Sequence, residues 1–216
     1  MTVRALPAPC HWGLSPLDFY ALTIASVCCC AGATWTAGQL LPQGWTECQV
    51  AEQINGSLLM TSRMYGSPWL TPGRPSRSDL RRGFARSDDG GLTWAEIWYI
   101  EDRQPEIMTA TCAQALVSDV SVSPTMYWSH PGNWTEGTGV ARANYTLHQS
   151  TNGGAHWELV DRVYTLGAGY SDAHVVPDPT SPNGHTLLMG FQKTFVPPVR
   201  SVEGGGYDMA VARLPL

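Results

Sequence analysis

Ser87-Asp88-Asp89-Gly90-Gly91-Leu92-Thr93-Trp94 is echoed by Ser150-Thr151-Asn152-Gly153-Gly154-Ala155-His156-Trp157, in the shared frame S-x-[DN]-x-G-x-x-W. A third, partial copy ends in Gly32-Ala33-Thr34-Trp35, with Cys28 and Cys30 where the frame expects Ser and Asp or Asn. Trp35, Trp94 and Trp157 stand 59 and 63 positions apart. So regular a period is the mark of a repeat fold. The frame has the chemistry of a hairpin turn: Asp89 or Asn152 folds its side chain onto nearby backbone N–H groups, and Gly91 or Gly154 supplies a positive φ. Trp94 and Trp157 then anchor the turns by packing between neighbouring sheets. Residues 83–87 and 145–149 lead in and 95–100 and 158–164 lead out as β-rich runs, while 186–191 and 208–214 read as further strands before and after the Gly204-Gly205-Gly206 link.

Composition agrees. The 22 Gly, 16 Pro and 9 Trp among 216 residues, with only 14% charged, favour short strands and tight turns over long amphipathic helices. A net charge of -5 without any Lys/Arg run excludes a nucleic-acid groove and a polybasic membrane surface. The six cysteines, three of them consecutive at Cys28, Cys29 and Cys30, lack the spacing of a zinc site or a disulfide-rich module. No metal or cofactor is implied. The apolar stretch 19–30 followed by Ala31-Gly32-Ala33 mimics a signal peptide and its cleavage site, but upstream only Arg4 is positive and Pro7, Pro9 and Pro16 interrupt the leader. Residues 1–31 are therefore unassigned. The run also falls short of the roughly 18 apolar residues of a membrane span. Sequons at Asn55, Asn133 and Asn144 favour a secretory, lysosomal or cell-surface setting.

The repeated frame resembles the Asp box of sialidases and related β-propellers, and its period matches one blade with its loops. Four further segments resemble the exo-sialidase family in that family's own order, from Gly32 to about Phe195. Residues 47–63, beginning Glu47-Cys48-Gln49-Val50-Ala51-Glu52 and ending Thr61-Ser62-Arg63, look like "E-x-x-V-x-E-x-x-D-G-x-L-x-x-x-x-R". Cys112-Ala113-Gln114-Ala115-Leu116 and then Tyr127-Trp128-Ser129-His130-Pro131 resemble the strand and "S-N-P" stretch ahead of the next family arginine, matched here by Arg142. Tyr164-Thr165-Leu166-Gly167-Ala168-Gly169-Tyr170-Ser171-Asp172 resembles the nucleophile segment, without its usual Gly-Pro step and with Ala173 in place of Leu. The resemblance implies an all-β propeller with Tyr170 as nucleophile, Glu47 as its proton acceptor, and Arg63 and Arg142 binding the substrate carboxylate.

Those residue types suit one chemistry. Sialic acid carries its carboxylate on the anomeric carbon, so a carboxylate nucleophile would approach against like charge and a neutral phenol would not. Sialidases are a known tyrosine exception among retaining glycosidases. A phenol is protonated near neutral pH, with a pKa of about 10, so a glutamate must take its proton as attack begins. An arginine fork gives a carboxylate paired, charge-assisted hydrogen bonds.

The family also has a third arginine in an "R-I-P" strand and an aspartate general acid, for which Arg4 and Asp18 are poor matches, and a late glutamate for which Glu203 is a weak one. At roughly 60 residues per blade the chain holds three to four blades, against six in the sialidase propeller. The expected reading is thus a partial sialidase propeller over residues 32–216. Its intact form removes terminal sialic acids from glycoproteins, glycolipids or oligosaccharides; the oligomeric state is left open. The alternatives are a non-catalytic carbohydrate-binding propeller and a protein-docking propeller without a sugar site.

Overall fold

Both S-x-[DN]-x-G-x-x-W segments close antiparallel hairpins by the bonding expected of them. The structure is a computed structural model and describes residues 24–29, 34–41, 45–64, 81–107, 109, 112–121, 123–132, 142–193 and 208–216. In the first turn the Asp89 carboxylate accepts the Thr93 N–H and the Ser87 hydroxyl at 2.8 Å each and the Thr93 hydroxyl at 2.6 Å, while Ser87 Oγ accepts the Gly91 N–H at 2.8 Å. In the second, Asn152 Oδ1 accepts the His156 N–H at 3.0 Å and Ser150 Oγ accepts the Gly154 N–H at 2.9 Å. Gly91 and Gly154 have φ of 95° and 82°. A side chain at Gly154 would also clash with Leu59, so the second turn needs glycine for space as well as conformation.

The strands are β1 (Ile24–Cys29), β2 (Thr34–Leu40), β3 (Trp45–Glu52), β4 (Leu58–Met64), β5 (Arg82–Ser87), β6 (Glu96–Tyr99), β7 (Ala115–Ser118), β8 (Met126–Pro131), β9 (Ala143–Ser150), β10 (Glu158–Pro177), β11 (His185–Lys193) and β12 (Asp208–Pro215). One helical turn, α1 (Ile100–Arg103), follows β6. All pairings are antiparallel, in sheets ordered β1-β2, β3-β4-β5-β6 and β12-β11-β10-β9-β8-β7. The run expected at 158–164 is the start of a much longer strand. β10 pairs with β9 over residues 158–167 and with β11 over 168–177, so it leaves one four-stranded unit and opens the next. Among the described residues the result is two four-stranded blades, β3–β6 and β7–β10, between the smaller units β1–β2 and β10–β12.

Aromatic packing joins the two four-stranded blades. Leu59, Phe84, Trp98 and Ile100 of the first form one buried cluster with Leu116, Met126, Trp128 and Trp157 of the second. Phe84 stacks on Trp98 at 5.7 Å and meets Trp128 edge-on at 5.2 Å, contacts worth about 0.5–1.5 kcal/mol each beyond the area they bury. Trp157 is thus the inter-sheet anchor its position in the frame predicts. Trp94 is buried against Leu41, Trp45, Leu58, Met60 and Ala85. Trp35 departs from the pattern: it lies within β2, opposite Cys28, and is 45% exposed, where Trp94 and Trp157 are buried.

Candidate functional site

Two β-bulges set the geometry around the sequence-matched residues. Between β3 and β4 the register passes from Thr46↔Arg63 to Gln49↔Thr61, so three steps of β3 oppose two of β4. Glu47 occupies this bulge with φ of 49°, in the left-handed region that non-glycine residues rarely adopt. A bulge re-aims a side chain that regular alternation would commit to one face. Between β10 and β11 the register passes from Ala168↔Lys193 to Ser171↔Phe191, again three steps against two, and Tyr170 lies inside it. Tyr170 is therefore in a strand, at the handover of β10 from one blade to the next.

The bulges bring the two blades' side chains together. The Tyr170 hydroxyl donates to Glu47 Oε1 at 3.2 Å. Arg63 Nη1 donates to the same Glu47 oxygen at 2.8 Å and to the Tyr170 oxygen at 3.3 Å. The Arg142 guanidinium lies over the Tyr170 ring, 5.1 Å from its centroid. All four residues matched from sequence thus meet, Glu47 and Arg63 from one blade and Arg142 and Tyr170 from the next. Burial alone would lower the Arg63 pKa, but the hydrogen bond and charge of Glu47 outweigh it and raise the pKa above its ordinary value. Glu47 Oε2 is buried without a hydrogen-bond partner among the described residues.

Beneath this group lie residues that sequence reading missed. Arg82 is 1% exposed and lies opposite Arg63 in the β4–β5 register. Gln39 and Gln104 hold the two turns: Gln39 Oε1 accepts the Trp94 N–H at 2.9 Å, and Gln104 Oε1 accepts the Trp157 N–H at 2.6 Å while its Nε2 donates to the Trp157 carbonyl at 2.9 Å. The signal was present as a Gln recurring 55 and 53 positions ahead of the frame's tryptophan. Arg4, Asp18, Asn133 and Glu203 lie outside the described residues. Among the described residues no group of three or more His, Cys, Asp or Glu could hold a metal ion, and no helix is long and apolar enough to cross a membrane.

The blades and their order are those of part of a β-propeller, of the type that sialidases share. Similar solved structures include a sialidase from Trypanosoma rangeli (TM-score 0.57, 18% identity over 89% of this chain and 27% of that one). They also include the intramolecular trans-sialidase of Ruminococcus gnavus (0.54, 18%, 86% and 36%) and the Hadza microbial sialidase Hz136 (0.53, 15%, 87% and 37%). The chain spans about a quarter to a third of the length of these neighbours. No protein-family profile and no curated protein matches the sequence. At this identity the likeness is one of fold.

Proposed function

We propose that the propeller to which this chain contributes is an exo-α-sialidase that acts with retention, with Tyr170 as nucleophile and Glu47 as its general base. The observation that carries the reading is the Tyr170 hydroxyl donating to Glu47 Oε1 at 3.2 Å across two blades, with Arg63 Nη1 bonded to both oxygens. Tyr170 Oη attacks the anomeric carbon as its proton passes to Glu47, and the bond to the aglycone oxygen breaks as that oxygen takes a proton from a general acid, the role the family gives to an aspartate that none of the described residues matches. Water then attacks the same carbon and gives its proton to the conjugate base of that acid, Tyr170 departs, and Glu47 returns the first proton to the phenol. Two inversions give retention. Arg63 and Arg142 hold the sugar carboxylate throughout. The T. rangeli sialidase has been captured with sialic acid and, as a covalent intermediate, with 2,3-difluorosialic acid, which supports the same substrate class here. The frame that closes both hairpins is, in this reading, the Asp box of the family.

The test is turnover of a 4-methylumbelliferyl sialoside by the 216-residue chain and by the same chain completed with upstream blades. Expected is release of the fluorophore that Tyr170→Phe abolishes. No turnover by the completed protein, or turnover indifferent to Tyr170→Phe, overturns the assignment.

A further inference from the structure

Arg82 is the one fully buried arginine of the described residues, and it lies where the two halves of the candidate site adjoin. Its Nε donates to Thr61 Oγ1 at 2.8 Å, two residues before Arg63 on β4. Its Nη1 donates to the Cys112 carbonyl at 2.9 Å, on the segment that enters β7 of the next blade. That segment holds the nucleophile's neighbour: the Ser171 N–H donates to the Ala113 carbonyl at 3.3 Å, and Ser171 Oγ accepts the Ala115 N–H at 3.2 Å. A single guanidinium therefore bonds the strand of Arg63 on one side. On the other it bonds the segment that grips the residue after Tyr170.

This charge has no ion-pair partner among the described residues, and Glu47 and Arg63 act on it from further off in opposite senses. No carboxylate among the described residues forms an ion pair with it, because Glu101, the nearest by bonding, accepts its backbone N–H instead, and Arg82 Nη2 is buried without a partner. Burial lowers its pKa to about 10, which still leaves it charged at neutral pH. A buried cation without a contacting carboxylate costs stability that an apolar side chain of the same size would not. Placing it opposite Arg63 adds like-charge repulsion. Packing alone gives no reason for an arginine here. A rigid fork reaching two acceptors on different blades does.

We infer that Arg82 is a positioning residue: it fixes the blade carrying Glu47 and Arg63 against the blade carrying Tyr170, and so sets the Tyr170–Glu47 distance. This rests on the reading of that pair as nucleophile and base. Displacement of reacting groups by about 1 Å costs roughly 10²-fold in rate. Arg82→Met should therefore lower kcat about 10- to 100-fold, with KM changed much less. Arg82→Lys keeps the charge but cannot span both acceptors, and should stay nearly as slow. Thr61→Val, which removes one acceptor with little change in volume, should lower kcat several-fold and covers the case in which Arg82→Met does not fold.

The deciding readout is the rate constant and final extent of covalent labelling by 2,3-difluorosialic acid, followed by intact mass, in whichever form of the protein turns over the sialoside. Expected is full labelling at a reduced rate. Reduced extent at an unchanged rate constant would mean that Arg82 only supports the fold, and a Lys variant with the original kcat would mean that charge alone suffices; either overturns the inference. Failure of the underlying reading shows differently, as turnover or labelling that is absent from the original sequence or persists in Tyr170→Phe. In that case the inference falls with it.

Discussion

Glu47 holds a conformation that is costly for its residue type, and the cost has a visible return. With φ of 49° inside the β3–β4 bulge, it directs one carboxylate oxygen to both Tyr170 and Arg63. Strain of this kind runs to about 1–3 kcal/mol and persists where the surroundings over-determine it. If Glu47 is the base, Glu47→Gln should keep the side-chain shape, lose proton uptake and lower kcat by roughly 10²–10⁴, measured on the sialoside beside a thermal melt that shows the fold retained. An unchanged kcat would remove Glu47 from the mechanism. Glu47, Arg63, Arg142 and Tyr170 were legible because their order around the repeated turns carries the information. The two bulges and Arg82 were not. A bulge is one extra residue in a ladder, which a single strand does not reveal, and an arginine before a turn reads as a solvated strand end until its neighbours are known.

Among the elements, the turns show how one frame serves two chemistries. Asp89 is held by three hydrogen bonds, and those from Thr93 lower its pKa to about 2, so its stabilising charge is present above the ordinary carboxylate range and lost as pH falls toward 2. Asn152 makes the corresponding bonds without titrating. Each turn is also clamped from the preceding unit by a glutamine. Gln104→Ala would leave the Trp157 N–H and carbonyl without their partners in a buried setting. Denaturant unfolding should show a loss of about 1–3 kcal/mol, against a few tenths for alanine at an exposed position such as Glu158. The turn residues and most strands were readable from pattern. The 20-residue β10 was read only over 158–164, because alternation breaks at Gly167-Ala168-Gly169, where the strand changes blades.

Across the whole molecule, the candidate site depends on the seam between the two four-stranded blades, and a histidine pair beside that seam makes its stability depend on pH. His130 and His148 stack at 4.9 Å, and His130 packs tilted against Trp128 at 4.1 Å. His130 Nδ1 faces the Pro131 carbonyl at 3.0 Å and so bears its proton there; its Nε2 then accepts from His148 Nδ1 at 3.0 Å. Both rings are neutral in this arrangement, and another proton on His130 would destroy it. Burial, the neighbouring ring and the charge of Arg82 hold His130 well below its ordinary pKa, and burial lowers His148 to about 4. The unfolded chain takes up these protons near pH 6.5 and the folded chain does not. Stability is therefore complete above that value and falls as pH drops toward 4. His148 alone accounts for roughly 3 kcal/mol of the fall, at about 1.4 kcal/mol per unit of difference. Glu101, raised by burial, acts in the opposite sense just above the ordinary carboxylate range, and Asp89 contributes only at lower pH. Denaturant midpoints measured from pH 7.5 to 4.5 should thus decline, most steeply below 6.5. His148→Gln, which keeps a polar side chain that cannot titrate, should flatten the decline whatever it does to the midpoint at pH 7.5; an equal slope in the variant would show that the pair does not govern acid stability.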